Sequence, residues 1–267
     1  MTTSLSFERI ADRYDETRFG IAERQRIADF LEPWLVPGPA VEVGVGTGLI
    51  AGVLRDRGHT VYGVDLSPAM LARARERLGD GLICGDACAL PIRSGTMANV
   101  VFAASLHVIR DVEGAFAAAA RVLRPGGRIV AKHDEAVVVP VGGGTDDVME
   151  TLAPLTRLKA FARPDTQPAL EAAARAAGLA TVCLTMSEQV LWRASPEFFA
   201  RQLEGRVWSA LWHIDDDSWN HVVIPMIAQL RALPDPDRPR PRNLSYPIAV
   251  FEVNAAARPP GSPRRTT

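Results

Sequence analysis

The stretch Ala40-Val41-Glu42-Val43-Gly44-Val45-Gly46-Thr47-Gly48-Leu49-Ile50 decides how this chain folds. An apolar run breaks into three closely spaced glycines and then resumes with helical spacing, which reads as strand, tight turn and helix. Glycine tolerates the sharp backbone of such a turn, and without a Cβ at Gly44 or Gly46 a ligand can come within contact distance of the main chain. The helix that follows offers its unpaired N–H groups to the same place. The spacing selects the ligand. A dinucleotide fingerprint is G-x-G-x-x-G, whose last interval makes room for pyrophosphate at the helix start; here the spacing is G-x-G-x-G, with the acid Glu42 two residues ahead. That pattern argues against pyrophosphate and suits a ligand that carries an ammonium and a carboxylate.

Downstream, the pattern of strand, acid and helix repeats. The run Thr60 to Val64 reads as a second strand closing at Asp65, about 20 residues past the glycines, where nucleoside-binding folds place an acid on the ribose hydroxyls. Ser67-Pro68 supplies an N-cap and an N1 proline for a helix through Leu78. A third strand, Gly81 to Cys84, leads into Gly85-Asp86-Ala87-Cys88-Ala89-Leu90-Pro91, and a fourth, Met97 to Ala104, runs into Ser105-Leu106-His107. An Ala-rich helix over 112–123 stops at Arg124-Pro125-Gly126-Gly127, and a fifth strand, Arg128 to Lys132, ends at His133-Asp134-Glu135. In an open α/β sheet ligands lie beyond the carboxyl ends of the strands, so Ser105, His107 and His133 fall at the productive edge.

Taken in this order, the acid-x-G-x-G-x-G loop, Asp65, the G-D-A-x-x-L-P phrase and the L-x-P-G-G turn resemble the class I S-adenosyl-L-methionine-dependent methyltransferases, in particular the ubiquinone-biosynthesis-type and other small-molecule members. The segment Phe7-x-x-x-Ala11-x-x-Tyr14-Asp15-x-x-Arg18 is similar to the N-terminal segment of the same enzymes, where it closes over the cofactor. The alternative is a plain docking helix, capped by Ser6, with Tyr14 in the core. The resemblance covers about residues 5–135 and implies an α/β, Rossmann-like, seven-stranded and mostly parallel sheet with helices on both faces. It also implies that S-adenosyl-L-methionine, with S-adenosyl-L-homocysteine as product, contacts Tyr14, Arg18, Glu42, Gly44, Gly46, Thr47, Gly48, Asp65, Leu66, Met70, Gly85, Asp86, Ala87, Ala104 and Ser105. Within that set Asp86 accepts from the adenine amino group and the Ala87 N–H addresses the ring.

Methyl transfer to a hydroxyl or activated carbon needs a base, and histidine titrates near working pH. The candidates are His107 first and His133 second, with Tyr14 placed to bring an aromatic face to the sulfonium. The acceptor is expected to be a small aromatic or lipophilic molecule, most simply methylated on oxygen, with nitrogen or carbon as alternatives. A nicotinamide-dependent oxidoreductase and a catalytically silent cofactor-binding protein are the rival readings.

Beyond residue 135 the resemblance thins. The chain divides into an N-terminal helical segment (1–35), a core (36–191), an aromatic-rich helical cap inserted before the last strand (192–240), that strand (241–254) and a disordered tail (255–267). The cap holds four of the chain's five tryptophans; Trp208, Leu211 and Trp212 share one face of a helix there, either as core or, with His213, as the roof of an acceptor pocket.

Composition narrows the rest. A net charge of −1 offers no broad attraction to nucleic acid or anionic membrane. The cysteines Cys84, Cys88 and Cys183 make neither a disulfide framework nor a zinc spacing. Asp134, Glu135 and the run Asp215-Asp216-Asp217 are carboxylates a metal could use, but the run reads as a solvated helix start, so no metal is expected. The start of the sequence lacks a signal-peptide pattern and no segment is long and apolar enough to span a bilayer, which leads to the expectation of a cytoplasmic protein with no membrane partner. Oligomeric state is left open.

Overall fold

The computed structural model describes residues 7–8, 11–17, 21–133 and 136–254. The positions Ser6, Ile10, Arg18, Asp134 and Glu135, and the tail expected over 255–267, lie outside the described residues. The chain divides into two units, one of residues 1–135, 164–187 and 247–267, the other of 136–163 and 188–246.

The first unit is built on a seven-stranded sheet. In chain order its strands are β1 (Ala40–Val43), β2 (Val61–Asp65), β3 (Leu82–Cys84), β4 (Met97–Phe102), β5 (Leu123–Lys132), β7 (Leu179–Met186) and β10 (Pro247–Val253); the second unit supplies β6 (Val137–Pro140), β8 (Val190–Ala194) and β9 (Arg240–Ser245). The sheet order is β3-β2-β1-β4-β5-β10-β7. Strands β1 to β5 pair in parallel, and β10 alone runs antiparallel to both its neighbours, β5 and β7. This is the seven-stranded, mostly parallel sheet the motifs implied.

Two hydrophobic clusters cover the two faces of this sheet. Alternation along β1 sends Val41 and Val43 to one side and Ala40 to the other. The helices are α1 (Ile21–Leu31), α2 (Leu49–Asp56), α3 (Pro68–Leu78), α4 (Val112–Val122), α5 (Asp147–Leu152), α6 (Gln167–Ala176), α7 (Pro196–Glu204) and α8 (Ile224–Ala232). Residues of α4 and α6 pack with Val41 and Val43, while those of α1, α2 and α3 pack with Ala40 and Val45. On the first side Phe102 stacks on Phe116 at 5.9 Å and Phe116 meets the edge of Phe251 at 5.5 Å, which fixes α4 against β4 and β10. A parallel sheet covered on both faces has no wet side, which is why all four residues of β1 are buried, the acid Glu42 among them.

Local signals act as the sequence suggests. Ser67 accepts from the Met70 N–H with Pro68 at the helix start, and Asp111 caps α4 through the Gly114 N–H. One boundary moves: the Arg124-Pro125-Gly126-Gly127 turn lies inside β5, which begins at Leu123 and slips register against β4 between Met97 and Asn99. Gly126 takes a φ of 72° there, a conformation open to glycine.

The second unit has its own core, in which Val148, Leu152, Phe199, Leu203, Leu211, Met226 and Leu230 are buried. It contains a sheet as well as helices: β9 pairs antiparallel with β6 on one side and β8 on the other. The aromatic insertion read over 192–240 therefore sits in a unit that also takes in 136–163. The side chain of Arg242 is 1% exposed, and both its Nε and Nη2 donate to the carboxylate of Asp146, with Nη1 donating to the Ala194 carbonyl. Trp208 and Trp212 are not on a continuous helical face. Gly205 ends α7, Arg206 adopts a φ of 49°, and Ser209–His213 forms only a short 3₁₀ turn. There Leu211 is buried, Trp208 meets Phe199 edge-on, and the Trp212 indole donates to the Arg206 carbonyl.

Candidate functional site

Because β1 to β4 are parallel neighbours, their carboxyl ends share one edge of the sheet, and the glycine loop, Asp65, Gly85-Asp86-Ala87 and Ser105 to His107 all follow strands at that edge. The three glycines of the first loop all have positive φ: 73° at Gly44, 55° at Gly46 and 76° at Gly48. Their surroundings differ. A Cβ on Gly44 would stand 2.3 Å from the Ser105 Cβ, so this glycine exists to let the loop after β4 close onto the loop after β1. Ser105, itself buried, completes that contact by donating to the Val43 carbonyl at 2.5 Å. A Cβ on Gly48 would press on Leu78 and Ala74 of α3. Only Gly46 faces open space, with the Tyr14 ring 4.0 Å from where its Cβ would be. The steric reason expected for both Gly44 and Gly46 differs between them: a Cβ at Gly46 would enter open space, whereas at Gly44 that space is taken by Ser105.

Asp65 ties the loops together. Its Oδ2 accepts from the Gly46 N–H at 2.7 Å and its Oδ1 from the Ser67 N–H at 2.9 Å. Burial pushes its carboxyl above the ordinary range, opposed by the N–H groups of Ser67, Gly46 and Leu66, with the negative charge of Glu8 adding to the rise. Each carboxylate oxygen retains a lone pair after these bonds. Leu66, next in line, is 54% exposed, an unusual position for a large apolar side chain. Met70, by contrast, is buried in the packing of α3.

Glu42 lies directly under the loop. It is flanked in the sheet by Gly63 and Val101 and is 3% exposed. Its carboxylate accepts from the Ala51 N–H, in the first turn of α2, whose N-cap residue Gly48 provides no side-chain cap. Among the described residues its Oε2 has no hydrogen-bond partner. Burial drives the pKa up to about 8, with the charge of Asp65 acting in the same direction and the Ala51 N–H against it.

At the end of β3 the G-D-A-x-x-L-P phrase has a steric explanation. A Cβ on Gly85 would lie 2.7 Å from Pro91, and the Gly85 N–H donates to the Asp65 carbonyl. Asp86 is exposed and accepts from the Cys88 N–H, opening a short 3₁₀ turn that starts at Ala87. Ala104 is exposed, and His107 is half-buried in the 3₁₀ turn Leu106–Val108. His133 is 3% exposed and follows β5, its N–H donating to the Pro247 carbonyl. The structure therefore gathers the glycine loop, Asp65 and Ser105 by direct hydrogen bonds or contact, and sets Gly85-Asp86-Ala87 beside them through Asp65. Trp208, Trp212 and the exposed His213 belong to the other unit.

Reasoning from sequence missed Asp15. Its carboxylate accepts from Thr47 Oγ1 at 2.6 Å and from Arg77 at 2.7 Å, while Arg77 also donates to the Thr47 carbonyl at 2.8 Å. Thr47, on the glycine loop, is 1% exposed. The only signal for this was the place of Asp15 beside Tyr14.

Residues 41–131, from β1 to the end of β5, match the sequence family described as a methyltransferase domain. Over these residues the chain is similar to methyltransferase domains. An uncharacterized methyltransferase of Geobacillus sp. is 33% identical over 135 residues, 46% of this chain and 63% of that protein. A demethylmenaquinone methyltransferase of Thermus thermophilus is 36% identical over 138 residues, 46% of this chain and 62% of the relative. The chain thus spans less than two thirds of the length of these relatives. Among solved structures, a methyltransferase-like protein of Bacillus halodurans shares the fold at a TM-score of 0.54 and 16% identity, covering 88% of this chain and 98% of the other. The [4+2]-cyclase SpnF superposes at a TM-score of 0.50 and 20% identity, covering 86% and 82%. The structural likenesses show the fold alone; the chemistry has to be argued from the site. Among the described residues no group of three or more His, Cys, Asp and Glu is placed to hold a metal ion, and no helix is long and apolar enough to cross a membrane.

Proposed function

We propose that the edge formed by β1 to β4 binds S-adenosyl-L-methionine and that the chain transfers its methyl group to a small aromatic or lipophilic acceptor. The observation that carries this reading is Asp65: one carboxylate fixes the open glycine, Gly46, and the turn at Ser67, and still has lone pairs to offer to hydroxyls. The residues present fit such a cofactor. Asp65 would accept from the ribose, the exposed Asp86 from the adenine amino group, and the Ala87 N–H would address the ring, with Leu66 offering apolar area to the purine. The space over Gly46 would take the amino-acid moiety, with Glu42 beneath the loop and Tyr14 and Thr47 at its rim. Arg18, Met70 and Ala104 remain in this set as proposals carried by the motif.

When bound, the cofactor supplies an electrophilic methyl on a sulfonium. The protein's part is to align the acceptor, exclude water and take up a proton. His107, on the turn after β4, is the proposed base for an O–H acceptor, its ring nitrogen receiving the hydroxyl proton; His133 is the second choice. Trp208, Trp212 and His213 are proposed to contact the acceptor. Relatives are named for demethylmenaquinone and for malonyl-[acyl-carrier protein], two different acceptors, so oxygen methylation here rests on the histidines, with nitrogen or carbon as the alternative. We propose a cytoplasmic enzyme without nucleic-acid or membrane partners.

Calorimetry with S-adenosyl-L-homocysteine, followed by labelled cofactor against a panel of phenols, amines and activated carbons, tests this. His107→Ala should lower turnover by roughly 10²–10⁴-fold while the product cofactor binds as before. Binding of NADH in place of S-adenosyl-L-homocysteine would overturn the cofactor, and an affinity loss without a turnover loss would make His107 structural.

A further inference from the structure

We infer that Asp15 and Arg77 are positioning residues that hold Tyr14 against the glycine loop and so set how long a ligand stays there. This rests on the cofactor site proposed above, and it follows from a closed ring of hydrogen bonds. Asp15 accepts from Thr47 Oγ1 and from Arg77, and Arg77 returns to the Thr47 carbonyl, so three residues from the N-terminal segment, the glycine loop and α3 are joined in one circuit. The circuit places the Tyr14 ring 4.0 Å from the position a Cβ would take on Gly46, the one glycine of the three in this loop whose Cβ position is otherwise open. A ligand seated over Gly46 lies beside that ring, and its departure requires the Tyr14 turn to yield.

Two further tethers run from the same segment to α3, and their geometry ranks them. Glu8 accepts from Ser67 Oγ at 2.8 Å and from the Ala69 N–H at 3.3 Å, a carboxylate at a helix start, where it is favoured by the helix dipole. Asp12 faces Arg73 at 3.7 Å with its side chain 95% exposed, a pair of the kind that contributes little. The Asp15–Arg77 pair is 2.7 Å long with both partners about one-third exposed, and it alone reaches the glycine loop. The three acids are spaced four and three apart and the two arginines four apart, so each set repeats at helical spacing. Asp12 is therefore a control within the same surface: same charge, same helix partner, no link to Thr47.

The test uses the full chain and has two arms. In the first, hydrogen exchange of residues 11–17 is followed without ligand in the wild type, Asp15→Asn, Arg77→Gln and Asp12→Asn. Exchange should rise about 3- to 10-fold in the first two variants and stay at the wild-type rate in the third. In the second arm the dissociation rate of S-adenosyl-L-homocysteine is measured by stopped flow. It should rise by a similar factor in Asp15→Asn and Arg77→Gln, no further in the double variant, and added salt should speed release from the wild type more than from Asp15→Asn. Thermal melting shows whether each variant is folded, and Arg77→Gln stands in if Asp15→Asn is not. Equal release rates in wild type and Asp15→Asn, additive effects in the double variant, or an Asp12→Asn effect as large as that of Asp15→Asn overturns the inference. Failure of the wild type to bind S-adenosyl-L-homocysteine would instead overturn the cofactor assignment, and the exchange arm would still report on the circuit itself.

Discussion

Replacing Glu42 by Gln should make the protein more stable in alkali, and the structure gives the size of the effect. Glu42 is enclosed between the central strands and α2, has one oxygen without a hydrogen-bond partner among the described residues, and its pKa is raised from 4.5 to about 8, first by burial and then by the charge of Asp65. An acid whose pKa is higher in the fold than in the unfolded chain favours the fold while protonated. Its contribution is complete below the unfolded pKa and is lost as pH rises through the folded one. At about 1.36 kcal/mol per pH unit, a rise from 4.5 to about 8 amounts to about 5 kcal/mol over the whole range, of which about 4 falls between pH 5 and pH 9. The glutamine in Glu42→Gln has the same shape, keeps a carbonyl oxygen for the Ala51 N–H and never ionises. The stability difference between variant and wild type should therefore widen in favour of the variant by about 4 kcal/mol from pH 5 to pH 9, read by urea unfolding at several pH values. Groups common to both proteins, Asp65 included, largely cancel in that difference. Profiles that stay parallel to within about 1 kcal/mol would show that Glu42 is already ionised in the folded state and that the reasoning from burial is wrong.

Two other substitutions probe separate parts of the molecule. Asp65→Asn leaves one carbonyl oxygen where two carboxylate oxygens now serve Gly46 and Ser67, so the affinity for S-adenosyl-L-homocysteine should fall by about 1.5–3 kcal/mol, with unchanged calorimetric affinity counting against the ribose role. Arg242→Met strips the partner from Asp146, whose carboxyl is held low because the bonds from Arg242 and the Met149 and Val148 N–H groups outweigh its burial. That variant should lose about 3–5 kcal/mol of folding stability in the second unit by urea unfolding, and a loss below about 1 kcal/mol would mean the pair is not buried in solution.

Most of the first unit was legible in the sequence because its signals are local. Glycines at 44, 46 and 48, a serine and proline at 67 and 68, and apolar runs ending in Asp65 and Ser105 each dictate a backbone conformation within a few residues of themselves. Their spacing along the chain then fixes which strand ends share an edge, since right-handed crossovers leave few arrangements of parallel strands. Local pattern was a poorer guide in the second unit. A helical spacing of Trp208, Leu211 and Trp212 did not make a helix, because Gly205 and the positive φ of Arg206 break the chain first and the indole of Trp212 is drawn back to the Arg206 carbonyl. The sheet there was likewise hidden, since β6 and β9 are about a hundred residues apart in sequence and pairing at that distance leaves no local trace.

What the sequence determined alone was the class of fold and the sheet edge at which the proposed site lies, because turn chemistry and hydrophobic period are properties of neighbouring residues. The tertiary structure alone decided what each polar group does there. Gly44 makes room for Ser105, Glu42 is enclosed under the loop with its pKa raised by burial, and Asp15 reaches across from the N-terminal segment to Thr47 and Arg77. Burial and hydrogen bonding set those roles, and both depend on groups that the chain brings together only when it folds.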